Sequence, residues 1–210
     1  MTFVNCVGAL DDPEINLFAD DTSFYPEDRF ASSLPIRLQK SVNTLSAWFN
    51  KWLLSVNRQK AALLVLRTTN MQPLNLSITI DSTENRQVVQ HKHLGGTFND
   101  RLTWKDHVDT ISTTAARKIG FLCRYRKRLP QIVLQRIYKT SIRPALKYAS
   151  VAWSGLSTTE KELLERIQQK AARLITGETT RHDIPHDTLL SQAGIPTLSY
   201  RREVEQIIEV

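Results

Sequence analysis

The stretch Ile15-Asn16-Leu17-Phe18-Ala19-Asp20-Asp21-Thr22-Ser23-Phe24-Tyr25 sets two adjacent carboxylates between two short apolar runs. Both flanks suit short β-strands, and Asp tolerates the backbone angles of a tight turn, so the pair is predicted at the apex of a hairpin. Two like charges side by side disfavour each other's ionisation unless a cation lies beside them. A hard divalent ion such as Mg²⁺ takes oxygen ligands and retains phosphate oxygens as further ones. Phosphoryl- and nucleotidyl-transfer chemistry uses such sites. An Asp-Asp dipeptide also occurs in solvated turns, so the surrounding sequence has to decide.

Three further segments follow in order. The first is Trp52-Leu53-Leu54-Ser55-Val56-Asn57-Arg58-Gln59-Lys60. The second is His93-Leu94-Gly95-Gly96-Thr97-Phe98-Asn99-Asp100-Arg101-Leu102-Thr103-Trp104, with His107 shortly after. The third is Ile142-Arg143-Pro144-Ala145-Leu146-Lys147-Tyr148, leading to Trp153. With Leu17-Phe18-Ala19-Asp20-Asp21-Thr22, this ordered set resembles the reverse transcriptases of jockey-type non-LTR retrotransposons, whose aromatic-Ala-Asp-Asp motif the hairpin matches.

The resemblance implies RNA-templated addition of deoxynucleotides to a primer 3′ hydroxyl, with an RNA template, a DNA primer and deoxynucleoside triphosphates as partners. It implies that Asp20 coordinates catalytic Mg²⁺ (or Mn²⁺) with Asp21 beside it, and that Leu94-Gly95-Gly96 positions the primer end. Lys60 follows Asn57 at the family's spacing, where a cation can neutralise charge on a pyrophosphate leaving group or donate a proton to it. Ala61 stands where the family commonly has Thr. Trp104 and His107 are expected to pack that corner without taking part in chemistry. The family's third carboxylate and its Gln-Gly segment lie upstream, and only nineteen residues precede Asp20 here. The chain is therefore expected to be a C-terminal fragment, inactive or nearly so by itself, with weak or absent metal binding.

The 210 residues carry a net charge of +7, with 41% hydrophobic and 23% charged residues. That composition describes a globular chain able to bury a core, and the basic excess favours polyanionic partners. The charge is unevenly spread. Arg101 to Lys147 holds twelve Lys or Arg against Asp106 and Asp109, while the first thirty residues carry seven acids. Arg124, Arg126, Lys127 and Arg128, with Tyr125 among them, are predicted to track a phosphate backbone with strong salt sensitivity. Cys6 and Cys123 are too few for a disulfide framework. With no signal-peptide pattern and no apolar run near ~20 residues, the sequence predicts an intracellular protein of nucleus or cytoplasm, away from membranes. Neither His91 with His93 nor His182 with His186 has the partners of a zinc site. Nucleotide-binding glycine loops and nucleophile elbows are absent.

Leu38, Val42, Leu45, Phe49, Trp52 and Leu53 recur at helical spacing after Ser33-Leu34-Pro35, predicting a helix that leaves near Asn57. Residues 61–66, 74–80 and 88–94 read as strands. Beyond residue 105 the pattern is helical: a stripe from Val108 to Leu122, a second from Val133 bent at Pro144, and a third after the capping box Ser157-Thr158-Thr159-Glu160, closed by Gly177. A last helix starts near Leu198. The expected class is α+β: a partial polymerase palm over residues 1–101, an antiparallel sheet with a packed helix, then an all-helical, C-terminally truncated thumb-like region over 102–210. The alternative to a polymerase fragment is a non-catalytic basic nucleic-acid-binding module or a helical protein-interaction remnant.

Overall fold

The computed structural model describes residues 14–18, 21–26, 32–67, 74–178 and 184–208. The chain is α+β and divides into two compact units, Met1–His91 with Asn99–Leu102, and Lys92–Phe98 with Thr103–Val210.

In the first unit, β1 (Glu14–Phe18) and β2 (Asp21–Tyr25) pair antiparallel, with Ile15 opposite Phe24 and Phe18 opposite Asp21. Asp21 thus begins a strand rather than sharing the apex. Ala19 and Asp20 lie outside the described residues. Helix α1 (Leu34–Lys51) buries Leu38, Val42 and Leu45 of the predicted stripe, whereas Trp52 and Leu53, which lie past its end, are exposed. It stops at Lys51 rather than near Asn57. The Leu54 amide donates to the Phe49 carbonyl at 2.9 Å, and Leu53 takes φ 58°, the left-handed slot that usually holds glycine in such a closure. Ser33 precedes the helix in αR geometry and makes no side-chain cap; an extended conformation is what aims a capping hydroxyl at the first turn.

Strands β3 (Leu63–Leu64), β4 (Ser77–Ile80) and β5 (Thr83–Val88) form a sheet ordered β3-β5-β4. It is mixed, not antiparallel as expected: β4 and β5 form a hairpin across Asp81 and Ser82 (φ 43° and 69°), and β3 lies parallel to β5 on its other side. Leu63, Val65, Ile78 and Ile80 join Leu38 and Val42 in this unit's core. The Gln39 side-chain amide pairs with the free edge of β4, donating to the Thr79 carbonyl at 2.8 Å and accepting from the Thr79 amide at 2.9 Å. A side chain standing in for a strand covers part of an edge that would otherwise invite pairing. The Arg67–Asp100 ion pair, at 2.8 Å and largely shielded from water, ties the chain after β3 to the segment after residue 99.

Strands β6 (Gln90–His93) and β7 (Gly96–Asn99) form a separate two-stranded ribbon. The predicted 88–94 strand is therefore interrupted at Val89.

The second unit is helical: α2 (Lys105–Tyr125), α3 (Gln131–Ile137), α4 (Arg143–Lys147), α5 (Thr158–Thr176), α6 (His186–Ala193) and α7 (Leu198–Ile208). Between α3 and α4 the residues Tyr138–Ile142 form a π-helical turn. Pro144 offers no amide to continue the ordinary ladder, and the wider turn accommodates this. The capping box forms as predicted, with the Ser157 amide donating to Glu160 at 2.7 Å and the Glu160 amide donating to Ser157 Oγ at 3.3 Å. Gly177 closes α5 with φ 84°. Helix α6 begins directly after Pro185, and Gly194 in left-handed geometry ends it. Val108, Leu134, Tyr138, Leu146, Trp153, Leu164, Ile175 and Leu189 are among the side chains filling the core.

Candidate functional site

Asp21 is exposed on β2, with its backbone paired to Phe18. Asp20, the stronger candidate ligand, lies outside the described residues. Among the described residues no group of three or more His, Cys, Asp or Glu side chains could hold a metal ion. At the tip of the hairpin the described residues supply one carboxylate, that of Asp21, and the residues on view do not by themselves fit a two-metal site.

Lys60 is exposed in a turn built by Asn57, whose carbonyl accepts the Lys60 amide at 3.1 Å and whose side-chain oxygen accepts it at 3.3 Å. The turn explains why Asn57 and Lys60 keep their spacing: the Asn carboxamide closes it on its own backbone. Among the described residues no ion pair engages Asp21 or Lys60.

The Leu94-Gly95-Gly96 segment makes the tight connection between β6 and β7. Leu94 and Gly95 both have positive φ, 45° and 83°, the signature of a type I′ hairpin turn. Gly95 is needed twice over, for its φ and because a Cβ there would stand 3.0 Å from the Tyr148 ring. Leu94, with a branched side chain in left-handed geometry, is the strained member. Behind the turn the Thr97 amide donates to His107 Nδ1 at 3.3 Å. Phe98, Trp104, His107 and Trp153 then run edge-to-face, with successive ring centroids 5.3, 6.2 and 5.4 Å apart. The Trp153 indole donates to the Tyr148 carbonyl at 2.9 Å. This joins the second and third sequence motifs in one aromatic corner. Tyr148 was legible as part of a motif, but its place over Gly95 was not.

Because His107 Nδ1 accepts a hydrogen bond, the neutral ring carries its proton on Nε2, which is buried without a hydrogen-bond partner among the described residues. Burial, and then the Lys92 charge, lower the His107 pKa from its ordinary value. A folded-state pKa below the unfolded one gives stability that is present above about pH 6.5 and lost as pH falls through the depressed value. Urea unfolding between about pH 7.5 and 5 is expected to show wild type losing more stability than His107→Gln. Equal losses would mean that His107 contributes nothing to the acid response.

The basic cluster at the end of α2 divides. Arg124, Lys127 and Arg128 are exposed, whereas Arg126 is half-buried. The Arg126 guanidinium lies against Gly177, where a Cβ would collide with it. That places a cation at the negative end of the α5 dipole, so Arg126 serves the fold while its three neighbours face water. Phe121 and Tyr125 form an exposed ring pair beside them, with centroids 5.1 Å apart. No helix among the described residues is long and apolar enough to cross a membrane.

No family model matches the sequence, and no solved structure matches it. Curated relatives do. The probable RNA-directed DNA polymerase from transposon BS of Drosophila melanogaster is 24% identical over 193 residues, covering 87% of this chain and 21% of the relative. The probable RNA-directed DNA polymerase from transposon X-element of the same fly is 26% identical over 199 residues, covering 90% of this chain and 22% of the relative. The RNA-directed DNA polymerase from mobile element jockey of Drosophila funebris is 25% identical over 178 residues, 82% of this chain and 19% of the relative. Over most of its length, then, the chain is similar to the RNA-directed DNA polymerases of fly mobile elements, and it spans about a fifth of the length of the relatives it matches.

Proposed function

We propose that this chain is a segment of a reverse transcriptase from a non-LTR retrotransposon, residues 1–101 being part of the palm and residues 102–210 a thumb-like region. The observation that carries the reading is the similarity to three such polymerases over more than four fifths of the chain. In the whole polymerase Asp20 and Asp21 would hold Mg²⁺ or Mn²⁺, which would supply charge stabilisation for nucleotidyl transfer. Lys60 would offset charge on the leaving pyrophosphate, and the Leu94-Gly95-Gly96 turn would support the primer end. Arg124, Lys127 and Arg128 would run along the phosphates of an RNA–DNA hybrid, a role that needs charge and exposure but no metal. By itself the polypeptide is a nucleic-acid-binding segment rather than an active polymerase.

Fluorescence anisotropy with a labelled RNA–DNA hybrid tests this. Replacing Arg124, Lys127 and Arg128 by Gln is expected to weaken binding and to flatten the slope of log K against log salt by about 1 for each phosphate no longer engaged. Arg126→Gln is expected to lower stability more than binding. Absence of hybrid binding at low salt would favour a protein-interaction role instead. In primer extension with Mg²⁺ or Mn²⁺, wild type and Asp20→Ala are expected to stay equally at background. Extension abolished by that substitution would show that a working metal site assembles within these 210 residues.

A further inference from the structure

The solvent side of α2 ends in two rings that the fold does not use. Phe121 and Tyr125 stand four residues apart, hence on one face of the helix, and are 57% and 39% exposed. The core-facing stripe of the same helix, Ala115, Ile119 and Leu122, points away from them. Their centroids are 5.1 Å apart with the planes tilted by 48°, so the rings are not stacked face to face. Beside them the surface is open: a Cβ at Gly120 would meet no atom within 4 Å.

Cations alternate with the rings. Arg117 precedes Phe121 by one turn, Arg124 comes directly before Tyr125, and Lys127 and Arg128 follow it. The Arg128 amide donates to the Tyr125 carbonyl at 2.9 Å, which holds that arginine in the turn closing the helix. All four cations are exposed, and among the described residues none of them forms an ion pair or lies over either ring. No Asp or Glu occurs in the sequence between Asp109 and Glu160. The core of a protein interface is depleted of charge, whereas this surface is matched by a polyanion.

Charge alone would engage any phosphate backbone; exposed rings add a preference for something flat. In a paired duplex the base faces are covered by their neighbours, and only edges reach the grooves. An unpaired nucleotide offers a phosphate and a free face together, and aromatic side chains set among cations take both.

We propose that Phe121 and Tyr125 form a stacking platform for unpaired bases, so that the end of α2 holds single-stranded nucleic acid next to the hybrid whose phosphates Arg124, Lys127 and Arg128 engage. This assignment deepens the polymerase-segment reading and rests on it.

Fluorescence anisotropy with the full chain tests it on three labelled probes. These are a blunt RNA–DNA hybrid, the same hybrid with a single-stranded RNA overhang, and one whose overhang is abasic, keeping the phosphates and removing the base faces. Wild type is expected to bind the base-bearing overhang about tenfold more tightly than the abasic one, within what stacking of one or two bases contributes. Phe121→Leu/Tyr125→Leu is expected to bind both overhangs equally, with the wild-type salt slope, because stacking releases no counterions. Phe121→Tyr, which keeps a ring, should retain the preference. The double variant is expected to melt with wild type, both side chains being exposed; a clearly lower midpoint would make the rings structural and overturn the proposal. Equal binding of wild type to the two overhangs, with the blunt hybrid still bound, overturns the platform alone. Failure to bind any probe at low salt overturns the platform and the nucleic-acid reading together. A preference that survives in the double variant would place the stacking elsewhere and overturn the assignment to these rings.

Discussion

Trp153→Ala is expected to lower the unfolding free energy of the helical unit by about 3–5 kcal/mol, the usual cost of emptying a fully buried aromatic site. Trp153 is 1% exposed, and its loss removes more than volume. The Tyr148 carbonyl loses its indole donor, His107 loses an aromatic neighbour, and the Arg202 guanidinium loses the ring beneath it. Arg202 is itself 9% exposed, with two guanidinium nitrogens lacking hydrogen-bond partners among the described residues, so truncation leaves a poorly compensated buried charge. Against a typical domain stability of about 5–15 kcal/mol, such a loss is a third or more of the total. Trp153→Phe keeps most of the packing and is expected to cost about 1–2 kcal/mol, chiefly through the unpaired carbonyl. Urea unfolding followed by helical circular dichroism measures both. A Trp153→Ala midpoint within about 0.5 kcal/mol of wild type, the usual range for surface changes, would remove Trp153 from the centre of this unit.

The helices of this unit were legible because their signals are local and redundant. Val108, Ala115, Ile119 and Leu122 bury the predicted stripe of α2, and both ends of α5 are marked by side chains whose capping chemistry acts within one turn. The sheets were less legible. β5 reads Thr-Glu-Asn-Arg-Gln-Val, polar enough to pass for a loop, yet it forms the centre of its sheet because the Asp81-Ser82 turn folds it onto β4. Backbone pairing of that kind leaves little trace in side-chain periodicity. At the candidate site, the Leu94-Gly95-Gly96 turn could be read from its glycines. The inward course of Arg126 could not, since the same basic run would have served a solvated face equally well.

A polypeptide beginning at Gln90 is expected to be more stable than one beginning at Leu102 by about 2–4 kcal/mol, combining a buried polar group left unpaired with the loss of one aromatic packing surface. The composition change near residue 100 invites a cut there, and a purely helical unit would tolerate it. Residues 92–98, however, belong with the helices. Thr97 is 6% exposed and donates its amide to His107, the Phe98 ring meets Trp104, and Gly95 lies under Tyr148. Cutting at Leu102 removes all three interactions and leaves the acceptor Nδ1 of His107 without its donor. Water then reaches the imidazole, and its depressed pKa should move back toward the ordinary value. Comparing urea midpoints of the two polypeptides measures the stability difference, and an NMR titration of His107 in each follows the pKa. Equal midpoints with an unchanged titration would mean that the β6–β7 turn rests on the helices without supporting them. A lower midpoint and a raised pKa in the shorter polypeptide would make the turn a structural part of the helical unit, holding the aromatic corner beneath the segment proposed to support a primer end.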